Sequence, residues 1–273
     1  MKAVKLHFVI TAGPTREHLD PVRFLSNPST GKMGFALASA AARRGHRVTL
    51  VAGPVALKTP AGVTRVDVVS ARDMLAAVER SLSPGCVVVS TAAVADWRPA
   101  TCAAKKLKKG QMSPVLRLVR NPDILKTLHR AIEQSNKRAI EQSNNPNNRT
   151  IRLKTLHPAI EQSNNPNNRT IRLKTLHRTI EQSNNPNNRT IRLVGFAAET
   201  NDVLAEASRK CREKGLSFIV ANDVTEKGCG FGTDTNRVTL VFPDGTQRKL
   251  PLMTKRAVAR HIVETVERGE TPC

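Results

Sequence analysis

The sequence has no tyrosine and one tryptophan, and aromatic residues make up 3% of its 273 positions. A nucleic-acid groove that stacks bases on interleaved rings has little to be built from. Five cysteines, Cys86, Cys102, Cys211, Cys229 and Cys273, are scattered without a CxxC pair. Cysteine-held metal has no basis here, and a cytoplasmic protein with free thiols is expected. No run is apolar enough to cross a bilayer. The start, MKAVKLHFVITAG, is basic and then apolar. Its apolar run is short and leads into a glycine turn, so it reads as a first strand rather than a signal peptide. The dinucleotide fingerprint is missing as well: AGPTRE replaces GxGxxG, and the second strand ends in Gly53-Pro54 instead of an acid. With no Tyr-x-x-x-Lys pair either, an NAD(P)-dependent reductase or epimerase is disfavoured.

What is present is positive charge: 44 Lys and Arg against 22 Asp and Glu, a net +22. Such a surface suits nucleic acid, an anionic surface or a phosphorylated substrate. The missing aromatics place the basic nucleic-acid-binding protein last. Residues 134–193 hold eleven Lys or Arg against three Glu and are strongly repetitive. EQSNNPNNRTIRL recurs at 141, 161 and 181, a period of twenty, and RAIEQSN stands at both 130–136 and 138–144. Identity this strict marks a tandem duplication, whereas solenoid repeats vary at solvent positions. Duplication also accounts for His157 and His177 without a metal. The expected organisation is one α/β domain in two parts, 1–135 and 190–273, split by an insert at 136–189. That insert is expected to be a mobile basic appendage, with a packed mini-solenoid as the alternative.

Apolar runs at 6–11, 47–53, 63–69 and 86–90 read as buried strands, in βαβαβαβ order. Ser70 and Asp73 mark the start of a helix over 71–82. Met112–Val119 reads as a further arm, and Asn121-Pro122-Asp123 starts a helix ending near Ser135. A strand at 194–198 precedes a helix capped by Thr200 or Asn201, then a strand at 218–221. A glycine-rich loop at 225–235, a hairpin about Pro243-Asp244-Gly245 and a helix from Thr254 close the chain.

The organising stretch is Thr11–Ala38, TAGPTREHLDPVRFLSNPSTGKMGFALA. Strand, glycine turn and helix start form an anion site, because first-turn amides are unpaired at the positive end of the dipole. Gly13 to Gly31 is too long for a dinucleotide turn and suits a loop over a substrate, with Asn27, Ser29, Thr30 and Lys32 as contacts. The alternative is structural: Gly31 and Gly34 for close packing, and Ser29 or Thr30 as cap. In TAAVADWRP, Asp96 could take Mg2+ through water, receive a base amino group, or pair with Arg98. The cluster Lys105–Lys109 is either a solvated face or a source of phosphate-binding charge.

Taken together, ITAGPTREHLDPVRFLSNPSTGKMGFALA, TAAVADWRP, KKLKK, RNPDI, VGFAAET, ANDV and GFGTDTNRVTLV resemble the phosphopantothenate–cysteine ligase family. These strings cover the chain in order except for the repeat block. The resemblance implies a stand-alone, bacterial-like form with an inserted tandem repeat. Its expected fold is α/β: a three-layer Rossmann-like, mostly parallel sheet with helices on both faces and a C-terminal β-hairpin arm. It implies ligation of 4'-phosphopantothenate to L-cysteine through an acyl-nucleotidyl intermediate, with CTP expected over ATP, Mg2+, and a cytoplasmic homodimer without membrane or nucleic-acid partners. Carried across, Asn27 holds the acyl intermediate, and Lys106 and Asp96 meet the nucleotide, Asp96 also the metal. Gly13, Ser29, Thr30, Gly31 and Lys32 cradle phosphate, Phe196, Ala197 and Ala198 pack on the nucleotide, and Asn222 and Asp223 line the substrate end. AGPT departs from the family's usual GGPT, and the repeat block has no counterpart.

Overall fold

The computed structural model describes residues 5–111, 115–143, 190–199, 201–226, 228–230 and 232–269. Most of the expected insert, 144–189, lies outside the described residues, as do Thr200 and Cys273. The first half of the chain gives β1 (His7–Ala12), β2 (Arg16–His18), β3 (Phe24–Ser26), α1 (Lys32–Arg43), β4 (Arg47–Ala52), β5 (Thr64–Asp67), α2 (Ala71–Ser81), β6 (Val87–Ser90), β7 (Trp97–Pro99), β8 (Leu118–Arg120) and α3 (Ile124–Ser143). The second half gives β9 (Arg192–Glu199), α4 (Val203–Glu213), β10 (Phe218–Asp223), β11 (Thr235–Asn236), β12 (Thr239–Val241), β13 (Gln247–Lys249), β14 (Met253–Thr254) and α5 (Lys255–Arg268).

Eight strands form one sheet in the order β13-β12-β10-β9-β6-β1-β4-β5. The six from β5 to β10 run parallel, and β12 and β13 add antiparallel at one edge. Alternation along β1 sorts its side chains between two cores. Phe8, Ile10 and Ala12 pack with Phe35 and Leu37 of α1 and with Val258, Ile262 and Val263 of α5. Val9 points the other way, toward Met74 of α2, Leu125 and Leu128 of α3, and Cys211 of α4. The result is the expected three-layer α/β arrangement, with helices on both faces. The C-terminal hairpin is continuous with this sheet: Ile219 of β10 pairs with Val241 of β12. Cys86, Cys102, Cys211 and Cys229 are free. Among the described residues no helix is long and apolar enough to cross a membrane.

Local chemistry accounts for the boundaries. Ser70 and Asp73 close a reciprocal capping box on α2. The buried Glu17 adds a third partner there, its Oε1 accepting from Ala71 N–H at 2.9 Å. Thr254 caps α5 by accepting from Ala257 N–H at 3.2 Å.

Several expectations are corrected. No helix separates β4 from β5, which are adjacent parallel strands joined by an irregular segment. That segment is rich in proline and glycine, residues that do not continue a helix. Neither Ser29 nor Thr30 caps α1; the N-cap is Gly31, at φ 76°. Helix α4 is preceded by Asp202, at φ 45° and without a side-chain cap, not by Asn201. Helix α3 continues to Ser143, beyond the expected end at Ser135. The long loop after β1 contains the β2–β3 ribbon, and β7 pairs with β8 as a second one.

Candidate functional site

The chain leaves β1 for β4 on one side and reaches β6 on the other, so a crevice opens at the carboxyl ends of β1, β6 and β9. Residues 91–95 are zipped onto the extension of β1. Thr91 Oγ1 donates to Thr11 O at 2.6 Å, Ala93 N–H to Gly13 O at 2.9 Å, and Ala95 N–H to Thr15 Oγ1 at 3.0 Å. Asn27 is fastened to this segment, its Nδ2 donating to Ala93 O and Val94 O, both at 3.3 Å.

On one side of this segment lies a cavity of about 130 Å3, which takes in Ser29 to Gly34, Ala198, Asn222, Asn236 and Lys255. Because Gly31 is left-handed and has no side chain, α1 begins without a side-chain cap, and its opening residues line the cavity. Gly34 lets the helix start sit against the sheet: a Cβ there would lie 2.5 Å from Ala12 Cβ and 2.6 Å from Thr91 Oγ1. Two ammonium groups enter this end. Lys32 Nζ contacts Asp234 Oδ1 at 2.7 Å and Gly232 O at 3.1 Å. The buried Lys255 donates to Gly230 O at 2.8 Å and Thr233 O at 2.6 Å. Burial lowers the Lys255 pKa and the Lys32 charge lowers it further, while Asp234 opposes both. Hydrogen bonding from Lys32 in turn holds Asp234 below the usual carboxylate range. Asn236 Oδ1 is buried here without a partner among the described residues.

On the other side is a cavity of about 340 Å3 that reaches Asn27, Asp96, Asn121 to Leu125, Glu199, Lys210 and Lys214. Ala92, Ala93, Phe196 and Ala198 line both spaces, so the two adjoin along these residues. Lys214 Nζ pairs with Asp123 Oδ2 at 2.8 Å, and Lys210 pairs with Glu199. Burial works against the Asp123 anion, but the Lys126 N–H and Lys214 outweigh it and keep its pKa low. Asp96 is exposed and does not pair with Arg98, whose guanidinium bonds Arg120 O and Asn121 Oδ1.

The crevice therefore brings together Asn27, Ser29, Thr30, Gly31, Lys32, Asp96, Phe196, Ala197, Ala198 and Asn222. Gly13 is buried behind Gly31, in whose place a Cβ would meet Gly13 Cα at 3.4 Å, and it lines neither cavity. Asp223 turns to Thr225, accepting from its N–H at 2.8 Å. Lys106 is exposed and lines neither cavity; the next residue, Leu107, is tied by its N–H to the buried Asp20 at 3.1 Å. Lys210, Lys214 and Lys255 escaped the sequence reading. Lysines four apart on an amphipathic helix read as a solvated face, and only the fold turns that face into the crevice. Among the described residues no three His, Cys, Asp or Glu side chains form a metal cluster.

Two adjoining spaces, one ending at a helix start with two ammonium groups and one flanked by paired lysines, suit anionic ligands. A family model described as "DNA/pantothenate metabolism flavoprotein C-terminal domain" matches residues 4–144 and 159–269. The chain is 40% identical over 261 residues to the coenzyme A biosynthesis bifunctional protein CoaBC of Bacillus subtilis, covering 95% of this chain and 50% of that one. It is 38% identical over 261 residues to the CoaBC of Vibrio vulnificus, with 95% and 51% covered. It thus spans about half the length of the curated relatives it matches. A crystal structure of the C-terminal domain of CoaBC superposes with a TM-score of 0.64 at 35% identity, covering 98% of this chain and 97% of that one. Sequence match, near end-to-end structural match and the crevice agree: the chain belongs to the DNA/pantothenate metabolism flavoprotein C-terminal domain family.

Proposed function

We propose that the chain is a phosphopantothenate–cysteine ligase acting in coenzyme A biosynthesis, the process for which its relatives are named. The observation that carries the reading is the pair of cavities sharing Ala92, Ala93, Phe196 and Ala198, with Asn27 lining the larger one and fastened to the shared Ala93. The larger space takes CTP in preference to ATP, its phosphates drawing Lys210 and Lys214 away from Glu199 and Asp123. The smaller takes the phosphate end of 4'-phosphopantothenate against the start of α1, Lys32 and Lys255. This divides the expected roles differently from the sequence reading: Ser29 to Lys32 serve the acyl substrate with Asn222, while Asp96, Phe196 and Ala197 serve the nucleotide. Gly13 and Asp223 shape the backbone around them, and Lys106 adds a charge from the exposed loop.

In the first step the pantothenate carboxylate attacks the α-phosphorus of CTP. The bond to the pyrophosphate oxygen breaks, leaving an acyl-cytidylate. In the second, the cysteine amine attacks the acyl carbon, loses a proton, and CMP departs with the former anhydride oxygen. Asn27 orients the acyl group through its carboxamide, and the ammonium groups offset charge as pyrophosphate leaves. Mg2+ usually binds one or two carboxylates plus substrate phosphates. The unpaired Asp96 in the nucleotide cavity fits that mode, and the ion would supply neutralisation of the triphosphate.

The exposed Phe24, Trp97 and Leu118 on the two ribbons offer apolar surface for a homodimer. The test is chemical. Protein given 4'-phosphopantothenate, L-cysteine, Mg2+ and CTP releases pyrophosphate and forms the amide; absence of both products with CTP and with ATP overturns the proposal.

A further inference from the structure

Outside the crevice, a groove of about 360 Å3 lies between α1 and α5. Four of its lining side chains are arginines: Arg43, Arg44, Arg256 and Arg260. Arg44 is balanced, with Nη1 at 3.4 Å from Glu264 and Nη2 at 2.5 Å from Glu267. Arg43, Arg256 and Arg260 make no ion pair or hydrogen bond among the described residues. Three uncompensated guanidinium groups thus face one concave space.

Local structure does not call for them. The first turn of α5 has no acidic residue and carries Arg256, a cation at the positive end of the helix dipole. Arg260 follows at i+4, so two like charges stack on one helix face, which costs helix stability. A sequence that breaks both rules in one place marks a site more readily than a solvated face. At the same helix start, Lys255 turns into the crevice while Arg256 turns into the groove, so the two spaces are separate.

We propose that this groove binds a small, multiply charged phosphate of the di- or triphosphate class. Guanidinium forks match pairs of phosphate oxygens, and three free positive charges match a polyphosphate better than orthophosphate. A nucleic-acid strand fits less well, because it needs a longer basic track laced with aromatic rings. The single tryptophan, Trp97, lies on β7, outside the groove, and the chain has no tyrosine. Inorganic polyphosphate and the tail of a nucleotide present the same groups.

The experiment is calorimetric titration of the full chain with tripolyphosphate at about 0.15 M salt, where exposed charges beyond roughly 8 Å are screened. Lys32→Gln combined with Lys210→Gln and Lys214→Gln serves as the background in which both crevice spaces are weakened. Arg256→Glu with Arg260→Glu is expected to bind tripolyphosphate at least tenfold more weakly at the groove, with a melting temperature no lower than the parent's. If that pair fails to fold, Arg256→Gln with Arg260→Gln is expected to weaken binding at least threefold. Displacement of tripolyphosphate by ATP assigns a nucleotide tail, and its persistence assigns the inorganic anion; both support the class. Equal affinity in parent and arginine variants, or orthophosphate competing as well as tripolyphosphate, overturns the proposal.

Discussion

Gly34→Ala tests whether the close seat of α1 on the sheet is what makes its first turn a binding element. The added Cβ would stand 2.5 Å from Ala12 Cβ, 2.6 Å from Thr91 Oγ1 and 3.1 Å from Thr11 O. Carbon atoms settle at about 3.5–4.0 Å, so the helix start must lift by roughly 1 Å. Overpacking of this kind costs about 1–3 kcal/mol, and alanine returns up to about 1 kcal/mol of helix propensity. The net loss is about 1–2 kcal/mol, or roughly 2–8 °C of melting temperature for a chain of this size. A displacement of about 1 Å in a positioning element can also cost on the order of a hundredfold in rate. Thermal melts and steady-state assays against 4'-phosphopantothenate read the two effects. Gly110→Ala is the control, because no atom lies within 4 Å of its Cβ position and its φ is not positive. A Gly34→Ala protein as stable and as active as its parent would refute the reasoning.

Three further predictions follow from separate parts of the molecule. Asn27→Asp keeps the shape but loses the Nδ2 donor to Ala93 O and Val94 O. The second step should slow by tenfold or more while pyrophosphate release persists, and mass spectrometry should detect accumulated acyl-cytidylate; equal slowing of both steps contradicts the role. The half-buried His7 is pushed from 6.5 to about 4, first by burial and then by Arg47. The unfolded chain therefore binds the proton that the fold refuses, and stability falls as pH drops from about 6.5 toward 4. His7→Gln should flatten that part of a urea-midpoint profile, and an unchanged profile would remove His7 as the cause. Joining Asn144 to Asn185 deletes two twenty-residue units. Loop length enters closure entropy only logarithmically, so melting temperature and turnover should stay close to the parent's; an insoluble or inactive product shows the repeats to be part of the working structure.

The sequence was most legible where one local rule governed. The apolar run of β1, the Ser70–Asp73 box and the turn at Pro243-Asp244-Gly245 each carry their own signal, and each element formed where expected. The ribbons β2–β3 and β7–β8 were hidden because their strands are three residues long, too short to establish a period. Residues 63–69 read as a strand, observed as Thr64–Asp67, but the expected alternation of strand and helix outweighed the prolines and glycines of 53–63, which favour the irregular connection seen between β4 and β5. At the crevice, most of the glycines and polar residues expected from clustered motifs line the cavities, whereas the lysines of α4 and the start of α5 carried no such signal. Lys210, Lys214 and Lys255 acquire their chemistry only from the sheet order that places α4 and α5 at the crevice. Asp20 shows the same dependence. Burial raises its pKa, but hydrogen bonds from Val22 N–H, Arg23 and Leu107 N–H overcome this and hold it low. It thereby ties the 19–23 turn to the loop bearing Lys106, 87 positions away at Leu107.

The central claim, a ligase working through an acyl-cytidylate, is tested most directly by a single turnover without cysteine. Protein in excess is mixed with 4'-phosphopantothenate, Mg2+ and CTP labelled in the α-phosphate, and quenched over time. About one pyrophosphate is expected per limiting CTP, with the label held in a species of acyl-cytidylate mass that cysteine then converts to amide and CMP. Pyrophosphate release that requires cysteine, or label that never joins the pantothenate moiety, would contradict the claim.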